Sequence, residues 1–262
     1  MKSKWRRAGV LLALALCVLV AFSTRAGAEG VSVKIPFIQR AGAEDSSSTV
    51  ELMLILTALT LAPAILIMTT AFTRIVVVLS FLRRALGTQE LPPNQLLIGL
   101  SLILTFMVMR TTLGEIKDQA LVPYLNQQIT QQEAFDKGVG SLRNFMFTHV
   151  SMTDLKLFKD LSEDPAKPGV EWKTYGDVDT LVLVPAFVTS ELKRGFYMGF
   201  VLYLPFLVID LVVATVLISM GMLVLPPVLI SMPFKLLLFV LVDGWNLVIL
   251  SLARSFQIVP SY

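Results

Sequence analysis

Between Arg194 and Arg254 the chain carries only three charges, Asp210, Lys235 and Asp243, each set in a long apolar run. A lysine at membrane depth costs roughly 2.5 to 3.5 kcal/mol on insertion scales, so such residues either pair with another charge, snorkel to an interface or relay an ion. Structural pairing is expected ahead of ion translocation. The same region holds Pro226, Pro227 and Pro233 between two apolar helices, within the stretch Ser219 to Trp245. Each proline removes a backbone donor, and irregular backbone at that depth survives only against protein or a water-filled cavity. The stretch therefore reads as packed against protein, with a pore or cavity wall as the sharpest interpretation.

Other chemistry has little to stand on. His149 is the only histidine and Cys17 the only cysteine, which excludes a Cys/His metal cluster and a disulfide within the chain. A single histidine on an apolar helical face reads as a packed core residue. With no Gly-rich phosphate loop and no metal-ligand spacing, the sequence predicts no enzyme, no cofactor and no metal.

The chain has 262 residues, 55% of them hydrophobic and 16% charged. Its mean hydropathy is +0.74, which together with long uncharged runs defines an integral membrane protein. Five of the 22 basic residues and none of the 19 acids precede Glu29, leaving 17 against 19 afterwards. The later chain has no basic excess with which to bind nucleic acid.

Residues 1–28 read as a cleavable signal peptide: a basic start, an apolar run from Ala8 to Phe22, and Ala26-Gly27-Ala28 as a cleavage site. Cleavage would start the mature chain outside the cytoplasm. Residues 29–49 are expected to be a disordered lead-in. Residues 50–113 form a first apolar helical hairpin, with one crossing from Leu52 to Thr73 and the next from Leu91 to Met109. Gly87 caps the helix between them, and Arg74, Arg83 and Arg84 place that connection in the cytoplasm. Residues 114–184 are a polar helical region outside the cytoplasm, read as two or three amphipathic helices broken at Gly138-Val139-Gly140 and ended at Asp164-Pro165. Residues 185–262 hold a second apolar hairpin. The fold class is thus an all-α integral membrane protein of helical hairpins with a charged extracytoplasmic region.

Several composite motifs resemble the FliP family of flagellar type III export-gate proteins. They are Pro185-Ala186-Phe187-Val188-Thr189-Ser190-Glu191-Leu192-Lys193-Arg194-Gly195-Phe196, Pro233-Phe234-Lys235-Leu236 with Asp243-Gly244-Trp245, Thr70-Ala71-Phe72-Thr73-Arg74-Ile75, and the Leu91-Pro92-Pro93-Asn94-Gln95 turn. The resemblance implies a non-enzymatic subunit of a multi-subunit channel. It further implies a homo-oligomer, expected to be a pentamer, joined by FliQ and FliR, with FlhA and FlhB as further export-gate partners. Such a channel exports unfolded flagellar proteins from the inner membrane at the basal body, with a large part of it on the periplasmic side. In that family, helices that hydropathy assigns to lipid sit largely above the membrane plane, inside the assembly.

The resemblance also implies a methionine-rich seal just before the double proline. Here it would comprise Met220, Met222, Leu223 and Val224, with Gly221, Pro226 and Pro227 turning the chain. Valine and leucine stand where methionines are common, which makes the seal less compliant. Lys235 is expected to pair with Glu191 of an adjacent copy, with Asp210 and Asp243 as further assembly contacts. The alternatives are the equivalent subunit of a virulence injection system, which shares the pore role, and an ion-coupled transporter using Asp210 or Asp243. A transporter would call for internal repeats, and no convincing repeat relates the two halves.

Overall fold

A computed structural model describes residues 46–88, 92–162, 175–222 and 224–256. The predicted signal peptide lies outside the described residues, as does the lead-in up to residue 45. The chain divides into two compact units, 1–57 and 58–262. In the first, the described residues are helical; the packing and contacts described below concern the second. Among the described residues there is no strand.

Helix α1 spans Ser46–Met68, α2 Phe72–Ala85 and α3 Asn94–Val108. After Met109 come α4 (Arg110–Ile116), a π-helical turn Lys117–Leu121 and the single turn α5 (Val122–Leu125). Then follow α6 (Gln131–His149), α7 (Met152–Ser162), a 3-10 turn Tyr175–Asp177, α8 (Thr180–Ser219), α9 (Pro227–Leu241) and α10 (Gly244–Ser255).

Helix α8, 40 residues long, is the one described helix long and apolar enough by itself to cross a membrane. Three bent pairs pass the same test if each counts as one span: residues 59–68 with α2 at 69°, α3 with residues 110–125 at 64°, and α9 with α10 at 65°. The first bend corrects the expectation of a continuous crossing from Leu52 to Thr73. At Thr69 and Thr70 the hydroxyls donate to the carbonyls of Leu66 and Ile67, and Thr70 Oγ1 accepts from the Phe72 amide at 3.4 Å. Side chains that offer the backbone other partners let the helix turn there.

The core is the contact of α2 with α8. Ile75, Val78, Leu79, Leu82 and Ala85 line one face of α2 at helical spacing and share one buried apolar cluster with Leu183, Ala186, Phe187 and Phe206 of α8. Two glycines of α8 let the helices close up. A Cβ at Gly195 would lie 3.1 Å from Val77, and one at Gly199 would lie 2.5 Å from the Phe81 ring. Helices α6, α7 and α9 add to α8, and α3 adds to α2.

Two further expectations change. Helix α6 runs unbroken through Gly138 and Gly140. A capping box starts it, with the Glu133 amide donating to Thr130 Oγ1 and the Thr130 amide donating to Glu133 Oε2 at 2.8 Å. A Cβ at Gly138 would already touch Ala120 and Ile116. Close packing and a good cap offset the roughly 1 kcal/mol helix cost of the glycine. Likewise Pro233 lies inside α9 without ending it. Gly87, at φ +74°, follows the C-cap of α2 as the sequence predicts, its amide donating to the Arg84 carbonyl at 3.1 Å.

Replacing Gly199 with alanine is expected to destabilise the chain by about 1 to 3 kcal/mol through overpacking against Phe81. Phe81→Leu in the same chain should recover part of the loss, as read by thermal unfolding in detergent.

Candidate functional site

Helix α8 ends in a closed turn. The Gly221 amide donates to the Ile218 carbonyl at 3.0 Å and the Met222 amide to the Leu217 carbonyl at 2.9 Å, with Gly221 at φ +74°. This double bond with a left-handed glycine is the Schellman arrangement, which satisfies the last carbonyls of the helix. Beyond it Pro226 caps α9 and Pro227 is the first residue of that helix, where a missing amide costs nothing. The prolines therefore begin a helix as well as turn the chain. Between the two helix ends the side chains are apolar and face outward: Met220 is 63% exposed and Val224 94%, with Met222 and Leu225 also exposed. Leu223, expected in the same lining, lies outside the described residues.

Below the turn, the two legs are joined by a polar contact in apolar surroundings. Lys235 Nζ on α9 donates to Asp210 Oδ2 on α8 at 2.6 Å, and Ser231 Oγ donates to Asp210 Oδ1 at 2.5 Å. Lys235 is 2% exposed and Ser231 fully buried. The lysine reaches Gly87 at the end of α2, where a Cβ would stand 3.8 Å from Nζ. This contact ties α2, α8 and α9 together.

A second buried contact lies nineteen residues back along α8, about 28 Å at the rise of an α-helix. Arg74 on α2 and Glu191 on α8 are both fully buried. Arg74 Nε donates to Glu191 Oε2 at 2.8 Å, and a second guanidinium nitrogen donates to Oε1, making the pair bidentate. The remaining nitrogen donates to the backbone carbonyl and the hydroxyl of Ser255 at 2.8 and 2.9 Å. The face of the guanidinium lies 3.8 Å from the Phe256 ring centre. His149 joins from α6, its Nε2 3.3 Å from the Phe256 carbonyl and its Nδ1 2.9 Å from the Phe145 carbonyl. It is a packed core residue, as its setting in the sequence suggests. The end of α10 is thereby held to α2, α6 and α8 at one point.

These contacts revise the predicted partners. Glu191 and Lys235 were expected to meet across two copies, yet each finds its partner inside one chain, Glu191 with Arg74 and Lys235 with Asp210. The hairpin geometry explains it, since α9 returns alongside α8 and places residue 235 opposite residue 210. Asp243 stands apart, exposed, with its carboxylate accepting from Asn246 at 3.1 Å. Arg74 was read as part of a cytoplasmic connection. Its position signals otherwise: it falls three residues after Ala71 and four before Val78, on the buried face of α2.

One contact was not anticipated. Asp154 on α7 accepts from Ser190 Oγ at 2.8 Å and from Lys193, both on α8. Burial works to raise the Asp154 carboxyl, but the Lys193 ammonium and the Ser190 hydroxyl outweigh it and hold it below the usual carboxylate range. Arg194, from the same turn of α8, donates to the His149 carbonyl at 2.6 Å.

A long apolar helix, bent helical pairs and charges buried in matched pairs give the described residues the character of an all-helical membrane protein. The FliP family model matches residues 55–252. The chain belongs to the FliP family. It is 51% identical over 213 residues to the flagellar biosynthetic protein FliP of Bacillus subtilis, covering 81% of this chain and 94% of that one. To the same protein of Pectobacterium carotovorum it is 50% identical over 215 residues, 82% of this chain and 81% of the relative. Against that of Caulobacter vibrioides the identity is 47% over 248 residues, 95% of this chain and 89% of the relative.

Arg74→Ala would strand a buried carboxylate, and the expected cost is about 3 to 5 kcal/mol. In a thermal-unfolding cycle, the double change Arg74→Ala with Glu191→Ala should cost clearly less than the two single changes added. The Asp154 contact predicts an acid dependence of known sign. A depressed carboxyl stabilises the docking of α7 fully above its unfolded-chain value of about 3.9, and the contribution is lost as pH falls through the lower native value. Hydrogen exchange in α7 should therefore rise as pH drops through that window, after correction for intrinsic exchange, and Asp154→Asn should remove this dependence.

Proposed function

We propose that the chain is a pore-lining subunit of the flagellar type III protein export gate, in which several copies, with FliQ and FliR, enclose a channel for unfolded flagellar proteins. The relatives' names place the family in flagellar biosynthesis. The observation that carries the pore reading is the turn at the end of α8. Met220, Met222, Val224 and Leu225 present apolar side chains outward from a backbone that is internally bonded and closed by two prolines. Apolar side chains held this way exclude water and small ions when copies converge, and unbranched methionine lets them part around an irregular chain. The surrounding surface also wants cover. Leu211, Val212, Val216, Leu229, Leu237 and Val240 are all exposed along α8 and α9, apolar surface for neighbouring subunits or lipid to cover.

In this reading the subunit works without chemistry of its own and sits in the inner membrane at the basal body, with the polar helices α6 and α7 on the periplasmic side. Further export-gate proteins such as FlhA and FlhB belong to the same machine. Asp210 and Lys235 fix the spacing of the two legs that carry the turn, so their contribution to assembly is indirect.

Alanine at Met222 and Leu223 is expected to raise ion leakage through the purified assembly while leaving its size on native gels unchanged. Leakage equal to that of the unaltered assembly would remove these residues from the constriction. Lys235→Ala should loosen the hairpin, and exchanging the two charges, Asp210→Lys with Lys235→Asp, should recover leak-tightness.

A further inference from the structure

The return leg of the second hairpin, α9 and α10, is fastened by buried polar contacts near both ends and by none between them. Lys235 and Ser231 hold the upper end to Asp210, and Ser255 with Phe256 holds the lower end to Arg74. Between the fastenings the leg bends by 65°. Asp243 sits at the bend with φ 51° and ψ 54°, a left-handed conformation that costs a non-glycine residue energy. Beside it, Val240 and Leu241 are exposed and an apolar cavity of about 350 Å³ separates the leg from α8. The cavity is lined by Pro205 and Phe206 on one side and by Leu238, Phe239, Leu247 and Val248 on the other.

One side chain packs into the bend. Phe239 is buried, with its ring 6.4 Å from Phe206 on α8 and 5.5 Å, edge to face, from Trp245. It covers Gly244 so closely that a Cβ there would lie 2.2 Å from the ring. We propose that Asp243 and Gly244 are a hinge, wedged at its present angle by the Phe239 ring, at which the return leg changes shape while both its ends stay fastened. The strained residue supplies a conformation to relax from, the glycine a position without a side chain to obstruct rotation, and the cavity a space for the leg to enter. The hinge lies within one chain and does not depend on the pore reading.

The test is a pair of spin-label distances in the purified full-length chain carrying Cys17→Ser, diluted with unlabelled chain. Labels at Val201 on α8 and Leu250 on α10 span the bend, and labels at Leu211 and Leu236 report the upper fastening; all four positions are exposed. Gly244→Ala is expected to shift or broaden the 201–250 distance, and adding Phe239→Ala should return it toward the original value, with the 211–236 distance constant throughout. Phe239→Ala alone should broaden the 201–250 distribution, which keeps the test open if Gly244→Ala fails to accumulate. A 201–250 distance unmoved by Gly244→Ala or by Phe239→Ala would overturn the hinge. So would a double variant as displaced as the single one, or a 211–236 distance that moves with it.

Discussion

The buried pair of Arg74 and Glu191 is the constraint to which the rest of the second unit is referred. Taking a guanidinium and a carboxylate out of water costs several kcal/mol each, recovered only if every donor and acceptor is met. Here the carboxylate is held by both edges, the third guanidinium nitrogen is used twice on Ser255, and the ring of Phe256 covers the cation. Four helices must therefore arrive at one point together. The benefit is less stability than register. An apolar face of α2 sliding by one turn along α8 would still bury valine and leucine against phenylalanine, but it would leave Arg74 without its partner.

Asp210 and Lys235 repeat the device farther along the same helix. Two matched charges on one 40-residue helix fix it at two heights, one against α2 and α10 and the other against α9. Gly195 and Gly199 stand just above the lower contact, where they bring α2 close enough for the arginine to reach. Small residues and buried charges cooperate here: the first permit the approach, and the second make only one approach complete.

Much of this was legible in the sequence. Helix content, the end of α2 at Gly87, the need of Lys235 and Asp210 for partners and the packed setting of His149 follow from composition, spacing and the price of a charge in apolar surroundings. What escaped did so for physical reasons. Hydropathy measures apolarity, not what lies outside it, so Arg74 on a β-branched helix looked like a flanking charge when it was a core residue. Glycine and proline rules describe local cost, and tertiary packing outweighed them at Gly138 and Pro233. The choice of partner for Glu191 depended on two helices 117 residues apart in the chain, a relation that no local pattern encodes. The family motifs contain Arg74, Glu191 and Lys235 without saying which residues they touch.

The turn that closes α8 has one more property. Its amides at Gly221 and Met222 are already spent on the carbonyls of Leu217 and Ile218. Around those two occupied donors the turn presents the methyl and thioether groups of Met220, Met222, Val224 and Leu225. What it offers a neighbour is therefore apolar shape in place of those two backbone donors.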